Sequence, residues 1–323
     1  MKQVIVYAPS RLSVVVLNMN RLQMGIAGGG GIAFSPSHYA KITISIIQRS
    51  NDVIFSPNYL AVEYYLERFR QMHSLNSHYC VEVQSDLIPH SGEGSSHSII
   101  LGLLKGLLYI NGIELSDADL FKSYTKDIKE EHDGYLVRGY ASGTGAWSVL
   151  RGGVTLSDDS LSLVRSIPIG NCFRVLVIRP KNLKRLSYQM ESSVIHDGGK
   201  QQDLIDYDQK KCLLSNVLKY DNCQSFHGQM ELFHLLSEFC SIGSKIKEFN
   251  TMNTLYGGLY DYLAAIGIRN RIALHGLSSL GPTYYYVDEK ERIAEMSEVI
   301  DSTTFYSYIY SFSNGIRVQD VSD

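Results

Sequence analysis

Apolar residues recur along the chain with two periods, and the switches between them mark out the predicted elements. Residues 4–7 and 12–17 are β-branched runs separated by Ala8-Pro9-Ser10, so the chain opens with two strands joined by a turn. Leu60, Val62, Tyr65, Leu66, Phe69 and Met72 fall at helical spacing and predict a helix between residues 58 and 76. A strand over 79–84 follows, then a polar glycine-rich turn, then a long apolar helix over about 96–111. Strands are predicted at 135–138, 146–150, 162–166 and 173–178, the last closed by Arg179-Pro180. Residues 181–211 hold few large apolar side chains and read as a hinge between halves or a loop over a site. Helical patterns resume at 212–218, 229–240 and 254–266. Strands at 272–274 and 284–287, a charged helix over about 289–301 and a tyrosine-rich strand at 304–312 complete the pattern. Strands and helices mix without regular βαβ alternation, which predicts an α+β fold of layers and antiparallel sheets.

Composition sets the bounds. With 323 residues, 44% of them hydrophobic and 20% charged, the chain has length for about two domains, divided here as 1–165 and 166–323. Its 30 basic and 33 acidic side chains leave a net charge of −3 and a pI near 6.4. That balance argues against life on a nucleic-acid backbone, where affinity needs a basic surface, but leaves room for a local basic pocket. The five cysteines show no CxxC spacing, so reduced thiols in a cytoplasmic setting are expected. Arg11 interrupts the early apolar bursts, and the apolar stretch 99–110 holds Lys105 and is shorter than the ~20 residues of a membrane helix. Neither nucleic acid nor membrane is an expected partner. The abundant tyrosines suit strand positions and the interface of a homodimer.

Chemistry concentrates in three Gly/Ser turns. The first, Ile88-Pro-His-Ser-Gly-Glu-Gly-Ser-Ser-His-Ser98, ends a strand and opens a helix. Gly92 and Gly94 turn backbone N–H groups inward, the helix start adds positive potential, and Ser95 and Ser96 add hydroxyl donors, a combination suited to phosphate. It is neither a Walker A loop, lacking Gly-Lys-Ser/Thr, nor GxGxxG, lacking the third glycine. The second runs from Arg138 through Ser142-Gly143-Thr144-Gly145 to Trp147. Here the arginine suits a phosphate, and the indole suits either an aromatic ring or the core. The third, His275-Gly-Leu-Ser-Ser-Leu-Gly-Pro282, includes Ser278 and Ser279. Brought together, the three would line a cleft for a polyanion. Four further glycines, Gly28 to Gly31, fit a tight strand connection. Asp158-Asp159 reads as a turn, and the charged run 126–133 as a solvated helix or loop.

In order and spacing, Ala8-Pro-Ser-Arg-Leu12, the loop ending Gly92-Glu-Gly-Ser-Ser96, and Gly276-Leu-Ser-Ser-Leu-Gly-Pro282 resemble the three motifs of the GHMP-kinase superfamily. More narrowly, the opening up to Asn18-Met-Asn20-Arg21 with the glycines after it, and the segment from Arg138 to Gly145, resemble the beta-ribofuranosylaminobenzene 5'-phosphate synthases and related C-nucleoside synthases. The resemblance implies a GHMP-kinase fold, two layered α/β halves with the active-site cleft between them. It also implies phosphoribosyl pyrophosphate (PRPP) as donor and an aromatic acid as acceptor, joined with loss of CO2 and pyrophosphate. On that reading Arg11, Gly92, Gly94, Ser95, Ser96, Arg138, Ser142, Gly143, Thr144 and Gly145 bind the donor. Asn18, Asn20, Trp147, Ser278 and Ser279 meet the acceptor, while Glu93, His97 and His275 are the catalytic candidates. Mg2+ is the expected cofactor, with Glu93 its ligand. Many kinases of the superfamily carry an aspartate after the Ser-Gly of the middle motif, and this chain has Thr144-Gly145-Ala146 instead. An ATP-dependent small-molecule kinase is the alternative. An inactive ligand-binding homologue is the third reading, because Asn18, Glu93 and His97 depart from the synthase pattern.

Overall fold

A computed structural model describes residues 2–184, 188–200, 204–219 and 224–321. Alternation of apolar and polar side chains in β1 (Gln3–Pro9) buries Val4, Val6 and Ala8 on one face. That strand lies inside a five-stranded sheet with β4 (Tyr39–Ile47), β5 (Val53–Phe55), β6 (His78–Gln84) and β15 (Arg317–Asp320), ordered β15-β1-β4-β6-β5. All its pairings are antiparallel except β5 with β6. A four-stranded sheet is ordered β10-β9-β3-β2, from β2 (Leu12–Val16), β3 (Gly31–Phe34), β9 (Val154–Ser157) and β10 (Leu163–Ile167). A second four-stranded sheet, β12-β13-β11-β14, takes β11 (Phe173–Pro180), β12 (Leu274–Leu277), β13 (Tyr284–Glu289) and β14 (Phe305–Tyr310). Apart from these, β7 (Lys129–His132) and β8 (Tyr135–Arg138) form a separate hairpin.

Helices α1 (Tyr59–His73), α2 (Ser95–Ile110), α3 (Asp117–Thr125) and α4 (Thr144–Arg151) belong to the first half of the chain. In the second are α5 (Tyr188–Lys200), α6 (Leu204–Lys219), α7 (Phe226–Phe239), α8 (Gly243–Leu255), α9 (Leu259–Arg269) and α10 (Lys290–Val299). The first core packs Val4, Val6, Ile42, Ile44 and Val81 against the apolar faces of α1 and α2. In the second, Val14, Ile32, Phe34 and Leu156 of one sheet meet Val175, Val177, Tyr285 and Val287 of the other, with Leu232, Phe233 and Leu236 of α7 closing the space. Opposite faces of those strands put Leu176, Ile178, Tyr284 and Tyr286 against Met252, Tyr260, Leu263 and Ile293 in a third core. The second core therefore draws on residues from both sides of position 165, and β15 returns to pair with β1.

Three predicted elements differ. Residues 146–150 are helical, within α4, because nearly every side chain of that helix is buried and a short apolar run shows no period. The stretch read as hinge or loop carries α5 and much of α6, whose low apolar content hid them. The helix read at 254–266 is interrupted at Gly257 and Gly258, which separate α8 from α9. Sequence patterning did not anticipate β4, α3 or β15. Of the five cysteines, Cys80, Cys172, Cys212 and Cys240 are free thiols and Cys223 lies outside the described residues. No helix among the described residues is long and apolar enough to cross a membrane.

The glycine-rich turn before α2 takes its place from how closely that helix sits on its sheet. Gly102 and Gly106, one helical turn apart, let the α2 backbone lie directly on β1 and β4. A Cβ at Gly102 would stand 2.6 Å from Ile42 Cδ1, and one at Gly106 2.5 Å from Ile44 Cδ1. Gly102→Val is expected to cost about 1–3 kcal/mol through overpacking, read as a lower urea midpoint with an unchanged m-value.

Candidate functional site

The three Gly/Ser turns meet around Arg11. It follows β1, and its backbone N–H donates to Glu93 O at 2.9 Å, which ties the turn between β1 and β2 to the loop before α2. Gly94 holds φ at +68°, and a Cβ there would stand 2.5 Å from Arg11 Cγ. A Cβ at Gly145 would stand 2.9 Å from Arg11 Nε. Two glycines at two helix starts thus sandwich the guanidinium. The third turn closes on the first, where a Cβ at Gly281 would lie 2.1 Å from Gly92 N. Ser278 is fully buried at this junction, accepting from Ser13 N–H at 3.0 Å and donating to Gly92 O at 2.6 Å.

The result is a cavity of about 110 Å³. Its wall includes Arg11, Gly92, Gly94, Ser95, Ser96, His97, Ser142, Gly145 and Ser279, brought together from the sequence candidates. The N-termini of α2 and α4 lie at this wall, where unpaired N–H groups favour an anion. Arg11 Nε, Ser95 Oγ and His97 Nε2 are buried without a hydrogen-bond partner. Burial lowers the Arg11 guanidinium from its ordinary value against an opposing attraction from Glu130. His97 is brought down to about 3, first by burial and then by Arg11, so it is neutral at physiological pH.

Other candidates lie elsewhere. Glu93 is not at the cavity. Its side chain is 1% exposed, with Oε2 3.1 Å from His38 Nδ1 and Oε1 3.3 Å from Arg179 Nε, and Thr283 Oγ1 donating to Oε1 at 3.2 Å. Both carboxylate oxygens are engaged, which corrects the expectation that Glu93 binds metal or catalyses. His275 is on β12, its Nδ1 2.8 Å from the Tyr284 hydroxyl, beside a separate cavity with Cys240 and Lys245. Burial lowers its pKa, but it does not reach the anion cavity. Trp147 is a core residue, stacked on Phe121 at 4.4 Å and donating its Nε1–H to Leu161 O at 2.9 Å. Thr144 is buried with its hydroxyl 2.6 Å from Ser157 Oγ, and Gly143 packs on Leu161. Arg138 is exposed at the end of β8 and lies over Gly25, away from the cavity wall. Asn18 Nδ2 approaches Asp159 Oδ2 at 3.5 Å, and Asn20 is exposed on the short turn Met19–Arg21.

Sequence reasoning missed the opposite wall. Glu130 on β7, His90 in the loop and Glu191 on α5 line the same cavity. The Glu130 carboxyl is pushed up to about 8, first by burial and then by Glu191, with Arg11 opposing. The run 126–133, read as solvated, is partly a strand whose period of two places Glu130 and His132 on one face. The four residues Lys-Glu-Glu-His are polar throughout, so the sequence carried no alternation to announce it.

No protein-family model matches the sequence, and no curated protein matches it. Solved structures do match in fold. Homoserine kinase from Cytophaga hutchinsonii aligns at TM-score 0.68 and 13% identity, covering 98% of this chain and 97% of that one. Mevalonate diphosphate decarboxylase from Enterococcus faecalis, named for its ATP binding, aligns at TM-score 0.63 and 15% identity over 99% of both chains. A complex with MVAPP, AMPPCP and magnesium aligns at TM-score 0.66 and 14% identity, again over 99% of both. The chain has a mixed α+β fold of the GHMP-kinase type.

Depression of the His97 pKa makes its neutral state a stability contribution that is complete above the ordinary histidine value and lost as pH falls through about 3. Urea unfolding at pH 7 and pH 4 should therefore show a shallower acid loss in His97→Asn than in the parent, by up to about 1.4 kcal/mol per pH unit in that window. Parallel acid limbs would show that the ring is solvated.

Proposed function

We propose that the protein transfers a phosphoryl group from a nucleoside triphosphate to the hydroxyl of a small molecule. One observation carries this reading: the buried, unpartnered Nε of Arg11 between the starts of two helices, a positive group facing the cavity. In such a site fixed donors stabilise the charge that builds on a transferring phosphate and its leaving group. The loop from Gly92 to Ser96 would cradle the phosphates, with Arg11 and Ser95 donating. Glu130, across the cavity and titrating near 8, would take the proton of the attacking hydroxyl as the oxygen–phosphorus bond forms and the bond to the nucleoside diphosphate breaks. Fold neighbours that include a kinase and an ATP-binding decarboxylase support the donor class.

Magnesium accompanies the nucleotide analogue in one neighbour. The residue that sequence reasoning assigned to it does not fit, because the buried Glu93 carboxylate faces His38, Arg179 and Thr283 inside the protein and not the cavity. Any magnesium here would arrive on substrate phosphates.

A second reading keeps PRPP as donor and an aromatic acid as acceptor. It is favoured by the middle motif, which has no acid after Ser142-Gly143, and by the pairing of Thr144 with Ser157, which leaves no base on α4. Pyrophosphate would then leave onto the same loop and Arg11, and the acceptor carbon would lose CO2 as its bond to the ribose forms.

Thermal unfolding in ATP or PRPP, each with magnesium, separates the readings. ATP should stabilise the parent by about 2.7 kcal/mol at a hundredfold excess over Kd and leave Arg11→Met and Gly94→Val unmoved. A response to PRPP and none to ATP would transfer the assignment to the second reading, and silence towards both would leave an inactive homologue with another ligand. Under the kinase reading kcat rises with pH through about 8, as Glu130 loses its proton, and Glu130→Gln flattens that limb.

A further inference from the structure

His90, His132 and Glu191 come from a loop, a hairpin and a helix, yet one donor atom of each lies within 4.8 Å of the others. The two imidazole rings are 4.3 Å apart, centre to centre. Hydrogen bonding fixes which nitrogen of each ring carries a lone pair. His90 Nε2 is 2.9 Å from Glu131 O, and a carbonyl only accepts, so Nε2 bears the proton and Nδ1 the lone pair. His132 Nδ1 is 3.0 Å from Asp133 Oδ2, which makes Nδ1–H the donor and leaves Nε2 bare. That Nε2 is buried without a hydrogen-bond partner, on a side chain only 6% exposed.

A carbonyl behind one imidazole and a carboxylate behind the other is the support that metal-binding histidines carry, because it orients the ring and raises its basicity. Two imidazoles and one carboxylate suit a first-row transition ion. Magnesium prefers an all-oxygen shell and is a poor match. Donors at about 2.1 Å from a common ion stand about 3.4 Å apart, so the cluster needs a closure of order 1 Å.

We propose that His90, His132 and Glu191 form a binding site for a divalent first-row transition metal on the wall of the anion cavity. Three protein donors leave a tetrahedral ion one position, and His90 and Glu191 face the cavity that holds Arg11. The site also ties α5 to the β7–β8 hairpin and the loop before α2. It stands apart from the identity of the phosphate donor and survives the failure of either functional reading.

The test uses the full chain, freed of metal with EDTA and then titrated with Zn2+ by calorimetry and with Co2+ by visible absorption. One equivalent should bind, the cobalt complex should gain d–d bands, and millimolar Mg2+ should not displace either ion. Glu191→Gln changes a partly exposed helix residue and keeps the fold. It should weaken Zn2+ binding at least tenfold, as should His132→Ala, while the exposed His227→Ala leaves it unchanged. Absence of one-equivalent binding, undiminished binding in Glu191→Gln, or displacement by Mg2+ would each overturn the proposal. If His132→Ala unfolds, Glu191→Gln alone decides.

Discussion

A single buried carboxylate, that of Glu93, holds the cleft in shape. Its partners come from separate stretches of chain: His38 beyond β3, Arg179 at the end of β11 and Thr283 just before β13. Left without them, a charge at that depth would cost several kcal/mol, so removing one of the four is strongly destabilising. Their meeting fixes the backbone of the loop before α2. Thr283 N–H then donates to Ser91 O, Ser278 Oγ to Gly92 O and Arg11 N–H to Glu93 O. The residue that sequence reasoning placed at the chemistry therefore works one step behind it, setting the frame on which the anion-binding backbone is hung.

Positive potential then gathers on one side of the cavity, facing Glu130 and Glu191 on the other. Arg11 is half-buried with its Nε shielded, His97 beside it is neutral, and the starts of α2 and α4 add the partial charges of unpaired N–H groups. Glu130 is the opposing group in the wall, and burial together with Glu191 keeps its proton on near neutral pH. A net charge of −3 over the whole chain conceals this, because the positive side of the site is made of backbone N–H groups and one arginine.

Legibility in the sequence followed how local each signal was. Amphipathic α1, alternating β1 and the apolar α2 were readable because packing against one core imposes one period. The glycines at 92, 94 and 145 were readable as a cradle because close backbone approach leaves few other residues possible. What a side chain met from far along the chain was not readable. Nothing near Glu93 announces Arg179, and nothing near Trp147 announces that Phe121 and the Leu161 carbonyl will claim it for the core. The helix α5 escaped because Met190, Val194 and Ile195 are few and are followed at once by charged and glycine positions, and with it went Glu191.

The division of labour between cradle and wall explains how one fold hosts several reactions. The cradle is built into packed sheets and α2. The groups able to move a proton or hold a metal ride on β7–β8 and α5. A two-stranded hairpin is marginal alone, and this one is anchored to α1 through Lys129 N–H donating to Tyr65 Oη at 3.0 Å and Leu60 N–H to Glu131 Oε2 at 2.8 Å. Tyr188 of α5 in turn donates to Arg138 O at 3.1 Å. The cavity, about 110 Å³, lies where the cradle meets His90, Glu130 and Glu191. The buried Glu93 network stands on the cradle side, while the hairpin and α5 are joined to α1 and to each other by those hydrogen bonds. The elements that wall the cavity opposite the cradle are thus the ones that carry Glu130 and Glu191, so a change in how they seat would alter the groups facing Arg11 without disturbing the cradle.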